Sequence, residues 1–301
     1  GISFFTLQAI GCAVDVYREM CPVPQSAVHF CLFTSFFGFI SSGPITRAGS
    51  FLPQLQTPRR FDADKAVSGL VLMAQGLLAK VCVADLLAIL ANGVWGDVRA
   101  YSGPVLAVGA LAYTFQLYFD FSGYSMLAQG CARVLGLELP QNFNTPYFSR
   151  SIKEFWRRWH MSLSAWLRDY VYIPLGGNRK GTARKYINLL ATFAVSGLWH
   201  GTGLTFLIWG LLHGLYQVAG AVLEPVRAKA YALLPIRRDG KLASVWQCLF
   251  TFLLVHTAWV FFRAASVQDA LYVLTAQFAG GSPGEVLAQV WGIIPVSYTH
   301  L

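Results

Sequence analysis

Apolar residues fall in long runs separated by short polar breaks rich in proline and glycine. Most runs have about the length of a helix that crosses a bilayer. The pattern predicts approximate spans at 2–17, 28–45, 66–95, 104–128, 187–200, 204–223 and 243–262. The run Ile187–Leu223 is long enough for two of these, with its break at Gly197–Gly203. Pro22 and Pro24, the string SSGPITR, and the loop Gly136–Ser149 with Pro140, Asn142, Asn144 and Pro146 supply the turn chemistry. Val267–Phe278 is weakly amphipathic, and Val286–Val296 is apolar but short. No internal repeat, low-complexity linker or heptad run occurs. The expected fold is all-α, one polytopic helical membrane domain over residues 1–301.

One segment has a different pattern. In residues 151–170, Phe155, Trp159, Trp166 and Tyr170 recur at spacings of four, seven and four, which predicts an amphipathic helix with one aromatic face. Arg157, Arg158 and Arg168 are poor partners for lipid. Such a helix is expected at the interface, or dipping in as a re-entrant element against protein.

Composition agrees with the pattern: 55% of residues are hydrophobic and 12% charged, where soluble domains carry about 25% charged. The net charge of +9 lies in short segments between apolar runs, at Arg47, Arg59, Arg60 and Lys65, and again over Arg179–Lys185. That is how cytoplasmic loops look. Without a basic recognition element, the charge does not point to nucleic acid. Arg184 and Lys185 precede the 187–223 run, and Arg227 and Lys229 follow it, so the run is expected to be a hairpin with both ends cytoplasmic. His200 stands 15 residues past Lys185, roughly 22 Å along a helix and deep in the bilayer. The six cysteines form no CxxC pair and read as small buried hydrophobes. The chain opens on Gly1 without Met, and SYTHL completes no apolar segment, so a piece of a longer protein is expected.

A histidine inside an apolar run is costly to place and is a functional candidate for that reason. His160 lies in the charged, tryptophan-rich segment and His200 in GLWHGTG. A neutral imidazole can take a proton from a hydroxyl as that hydroxyl attacks a carbonyl, and desolvation favours the neutral ring. Glycines beside Trp199-His200 allow close approach of a backbone or ligand. Both histidines could instead bond a neighbouring helix as polar glue. His213 and His256 read as packing histidines, while His29 and His300 carry little signal. GxSxG, HExxH and GxxxxGK[ST] are absent, and the histidines lack metal-ligand spacing. Lys80 and Asp85, five apart, are expected on different helical faces, with Lys80 snorkelling or pairing with a neighbouring helix. Together with Asp120 and the WHG break, they also fit a transporter with broken helices. Arg157, Arg158, Arg179, Lys180, Arg184 and Lys185 read as positive-inside charge, or as a landing site for an anionic donor or acidic carrier protein.

The blocks SGPITRAGSFLPQL, GLLAKVCVADLLA, YFDFSGYS, LPQNFNTPYFSRSIKEFWRRWHMSLSAWLRDYVYIPLGGNRKG, GLWHG, WGLLHG and WVFFRA occur in order. In these blocks the chain resembles the membrane-bound O-acyltransferase (MBOAT) family, in particular its alginate O-acetylation branch. The resemblance implies an MBOAT-type core with amphipathic or re-entrant helices. It implies O-acetyl transfer from cytoplasmic acetyl-CoA towards an exopolysaccharide, with no bound cofactor and no metal. It places the family's catalytic histidine at His200 and its second histidine at His160. Supporting or substrate-binding positions would be Asp120, Trp156, Arg157, Arg158, Asp169, Asn178 and Trp199. The implied partners are the lipid bilayer, extracytoplasmic polysaccharide acetyltransferase proteins and the polysaccharide acceptor, at a bacterial cytoplasmic (inner) membrane. A related branch D-alanylates teichoic acid and takes its acyl group from a carrier protein. One departure stands out: the Asp that usually follows GYS is Met126 here. Family members are also longer at both ends.

Overall fold

An apolar run cannot leave its peptide groups unsatisfied in lipid, and a helix closes all of its backbone hydrogen bonds within one segment. The computed structural model describes residues 2–24, 26–40, 42–233 and 238–293. Those residues form helices and no strand. His300 lies outside them. In chain order the helices are α1 (Ile2–Tyr17), α2 (Ala27–Ser35), α3 (Phe37–Ile40), α4 (Ala48–Gln56), α5 (Ala63–Gly96), α6 (Gly103–Val134) and α7 (Ile152–Arg158). There follow α8 (Met161–Leu167), α9 (Gly181–His200), α10 (Leu204–Val222), α11 (Glu224–Leu233), α12 (Lys241–Arg263), α13 (Val267–Ala276) and α14 (Pro283–Ile293). Four of them, α5, α6, α10 and α12, are long and apolar enough to cross a membrane.

The chain divides into two compact units. The first comprises Gly1–Cys82, Phe119–Asn144 and Arg157–Pro174. Its core gathers Phe33, Phe39, Phe51, Leu52, Ala128 and Ala132. Within it α5 and α6 approach along a glycine seam. A Cβ on Gly69 would lie 2.7 Å from the Gly130 carbonyl oxygen, and one on Gly76 2.6 Å from that of Gly123. Small residues let two backbones come this close and gain contact where water cannot drive association. Met126 belongs to the same seam, its Cβ 3.0 Å from where a Cβ on Gly76 would lie, so the residue at the position where the resemblance leads one to expect Asp sits among helix-packing atoms. One turn along, Lys80 Nζ and Asp120 Oδ1 pair at 2.7 Å, so Lys80 pairs with the neighbouring helix.

The second unit comprises Val83–Tyr118, Thr145–Trp156 and Leu175–Leu301. Its centre is the α9–α10 hairpin, again closed by glycines: Gly197 faces the Phe206 carbonyl and Gly210 that of Phe193. On α12, Trp259 stacks on Trp209 of α10 with ring centroids 5.6 Å apart. His256, also on α12, meets the Thr114 hydroxyl at 2.8 Å through Nδ1.

Several elements differ from the sequence-based expectation. The 28–45 run is not one span: Phe36 leaves the helical region at ψ 124° between α2 and α3. Its ring packs on Phe37, Phe39 and Phe51 at 4.7, 5.2 and 5.4 Å, and this aromatic cluster replaces helical continuity. The 151–170 segment is not one amphipathic helix, because the chain breaks between α7 and α8. Phe155, Trp159, Trp166 and Tyr170 therefore do not share one continuous helical face. The hairpin turns at Gly201–Gly203, inside the expected break Gly197–Gly203, and α9 runs to His200. Inside α5, Ala79–Ala84 is a π-helical stretch.

Candidate functional site

His160 owes its position to the break between α7 and α8. Its backbone is left-handed, with φ 41° and ψ 55°, a conformation uncommon outside glycine, asparagine, aspartate and histidine. The histidine makes no side-chain cap for α8. Asn142, from the loop before α7, does that work: its Oδ1 accepts from the Ser162 N–H at 3.2 Å and the Ser162 hydroxyl at 2.6 Å, and its carbonyl accepts from the Met161 N–H at 3.0 Å. The Asn144 N–H donates to the Arg158 carbonyl at 2.9 Å, tying down the end of α7. The Ser162 hydroxyl in turn accepts from the Ile45 N–H at 2.9 Å. The result is a buried imidazole, 2% exposed, with Phe121 edge-on at 4.6 Å and Phe4 stacked at 6.2 Å.

Past α8, a π-helical stretch Arg168–Tyr172 carries Asp169 into an ionic network of the same unit. Arg47 Nη2 binds Asp169 Oδ2 at 2.8 Å, and Arg168 Nε binds Oδ1 at 2.7 Å. The Arg47 guanidinium lies 4.3 Å from the Tyr170 ring centroid. The Tyr170 hydroxyl donates to Asp15 Oδ1 at 2.7 Å. Burial, then that bond to Asp15, pushes the phenol above its ordinary range, so it remains a donor. Asp120 makes the ion pair with Lys80 already described, and its chain neighbour Phe121 is the ring against His160.

His200, in the second unit, is the last residue of α9 and is only partly buried. Trp199, Trp209 and Phe262 present their rings to it at 4.7, 5.0 and 5.1 Å, all near perpendicular. These aromatic walls limit the access of water to the ring on several sides. Trp209 touches a second imidazole, His213, at 5.4 Å. His213 is fully buried, and its Nδ1 accepts from the Trp156 indole N–H at 3.2 Å. Trp156 is thereby joined to the His200 surroundings through His213 and Trp209, all within one unit.

The other expected positions are less closely tied to either histidine. Arg157 is exposed at the end of α7, Arg158 is half-buried beside it, and Asn178 lies in the exposed turn before α9. The sequence drew no attention to Asn142, Arg47, Trp209 or Phe262 as site residues. Trp209 and His213 could have been found from their i, i+4 spacing, which places them one turn apart. Arg47 and Phe262 had no local signal. Among the described residues no group of three His, Cys, Asp or Glu side chains converges as a metal site would need.

Several helices of membrane-crossing length, with histidines enclosed by aromatic rings, define a multi-pass membrane protein carrying candidate proton-transfer residues. Residues 22–267 match the membrane-bound O-acyltransferase (MBOAT) family, and the chain belongs to it. It is 42% identical over 282 residues to the "Probable alginate O-acetylase AlgI" of Pseudomonas aeruginosa, a match covering 94% of this chain and 52% of that protein. It is 38% identical to the "Peptidoglycan O-acetyltransferase" of Helicobacter pylori, over 91% of this chain and 55% of that protein. It is 32% identical to the "Teichoic acid D-alanyltransferase" of Bacillus subtilis, over 79% of this chain and 62% of that protein. The chain thus spans about half the length of the acetyltransferase relatives, 52% and 55%.

Proposed function

We propose that this protein is a membrane O-acyltransferase that moves acetyl groups from cytoplasmic acetyl-CoA towards O-acetylation of an exopolysaccharide such as alginate. The observation that carries this reading is 42% identity, over 94% of this chain, to a protein named "Probable alginate O-acetylase AlgI". In the reaction a hydroxyl oxygen attacks the thioester carbonyl carbon, and its proton passes to the His200 imidazole as the C–O bond forms. The tetrahedral intermediate collapses, the C–S bond breaks, and the leaving thiolate takes the proton back from the imidazolium. An aromatic enclosure suits this base, because it limits competing water. His160 helps to bind or polarise the thioester or the acceptor, and Asp120, Arg157 and Trp199 support the site. Extracytoplasmic acetyltransferase proteins complete delivery to the polymer, at a bacterial cytoplasmic membrane.

Transfer of labelled acetyl from acetyl-CoA by the full-length protein tests the reading. His200→Ala is expected to abolish transfer, and transfer retained in that variant overturns the assigned role. The 32% identity to a teichoic acid D-alanyltransferase favours a second reading, D-alanyl transfer from a carrier protein. Activity with a D-alanyl carrier and none with acetyl-CoA would establish it instead.

A further inference from the structure

Two arginines of the second unit lie at the end away from its basic segments. Helix α12 runs 23 residues from Lys241 to Arg263, about 34 Å. Helix α9 runs 20 residues from the turn that carries Arg179 and Lys180 to His200, about 30 Å. The two helices finish together, because Phe262, the residue before Arg263, is the ring that faces His200 at 5.1 Å. Arg99, which follows α5, has a carboxylate of its own: Nη1 meets Asp269 Oδ1 at 2.6 Å. Arg263 pairs with no carboxylate among the described residues.

Its partners are neutral. Nη2 donates to Asn92 Oδ1 at 2.9 Å, and Cζ lies 5.7 Å from the Tyr113 ring centroid. Trp95, one turn from Asn92, stands edge-on to Tyr113 at 6.4 Å, and its indole N–H is buried without an acceptor. The Asp97 carboxylate accepts from the Arg99 N–H at 3.1 Å. The cluster is thus rich in donors and short of acceptors. It is also open. Arg263 is half-buried and Asn92 exposed, and a Cβ on Gly96, one turn past Asn92, would meet nothing within 4 Å. A guanidinium held by one amide and one ring keeps N–H groups for a planar anion, which it binds through paired hydrogen bonds.

We propose that Arg263, braced by Asn92, binds the carboxylate of an acidic-sugar acceptor while a hydroxyl of the same molecule reaches His200. Adjacent helical residues point about 100° apart. Arg263 and the Phe262 wall therefore mark neighbouring positions, which one sugar strand spans. The assignment rests on the acyl-transfer reading above and adds the class of acceptor and the residue that selects it. The phosphate of an anionic lipid head group offers the same charge, and vesicle composition separates the two sources.

The full-length protein is placed in vesicles of neutral phospholipid, and in vesicles with added anionic phospholipid. It is given labelled acetyl-CoA with an oligouronate or with the carboxyl-reduced, neutral form of that oligosaccharide. The wild type should prefer the oligouronate in kcat/KM. Arg263→Gln should cut that preference roughly tenfold, the scale of one lost charge-assisted hydrogen bond. Arg263→Lys keeps the charge without the fork and should keep part of the preference. Asn92→Ala, which removes the brace, should lower it less than Arg263→Gln does. Both acceptors are compared on one protein sample, so a folding defect, or a cation needed only at the helix end, would lower both alike. That outcome, or a wild type without preference, overturns the anion site and leaves the proposed function standing. A loss in Arg263→Gln that follows the charge of the lipid and not that of the acceptor assigns the anion to a head group and overturns the acceptor role. A wild type that transfers to neither oligosaccharide also overturns the acceptor role, and one that in addition cleaves no acetyl-CoA overturns the proposed function with it.

Discussion

Asn142 accepts through a single amide oxygen both the backbone N–H and the hydroxyl of Ser162, at 3.2 and 2.6 Å. All the bonded groups are buried, and they begin the helix that follows His160. Asn142→Ala leaves two buried donors without an acceptor, which costs about 1–3 kcal/mol. The melting temperature in detergent should fall, and acyl transfer should fall with it. An unchanged melting temperature would mean that Asn142 does not hold this break.

The left-handed backbone of His160 separates its conformational role from its chemical one. His160→Gly and His160→Asn tolerate positive φ, whereas His160→Ala keeps a left-handed Cβ, which costs roughly 1–2 kcal/mol relative to glycine. All three remove the imidazole. Thermal unfolding should rank Gly and Asn above Ala, while acyl transfer should be lost in all three. Activity kept in His160→Asn would sink a chemical role for this ring.

Trp156 donates to His213 inside the second unit, where His213 is fully buried. Trp156→Phe preserves most of the packing but strips Nδ1 of its donor, at about 1–3 kcal/mol. The expected result is a lower melting temperature and a reduced rate, without a change in KM for the donor. A KM effect alone would place Trp156 in donor binding instead.

Lys80 and Asp120 pair across the glycine seam of α5 and α6. Lys80→Met or Asp120→Asn leaves the other charge on a helix of membrane-crossing length, at about 2–3 kcal/mol. The double variant should be more stable than either single, because it removes both charges together. Additive losses in a double-mutant cycle would show that the pair contributes no coupling.

How much was legible before the fold was known follows from the range of each interaction. The four long helices could be read because hydropathy and length are local quantities, and lipid-length runs leave the backbone one solution. His200 stood out for the same reason, as a costly side chain in an apolar run. Its walls were less visible, since Phe262 reaches it from a different helix. The aromatic spacing over 151–170 was a genuine local signal, yet a long-range cap overrode it. A three-bond anchor on Asn142 and a residue able to adopt positive φ together end one helix and start another.

By itself the sequence determined the membrane-spanning character, the positions of the long helices, and two histidines worth mutating, because burial cost and helical periodicity act over one turn or one span. Only the tertiary structure decided where the chain breaks at Phe36 and His160, that Lys80 answers Asp120, and that Arg47 meets Asp169 across 122 residues of chain. Those contacts arise from the packing of helices far apart in sequence. No local pattern encodes which glycine will face which carbonyl, or which loop will bring its amide to a helix start.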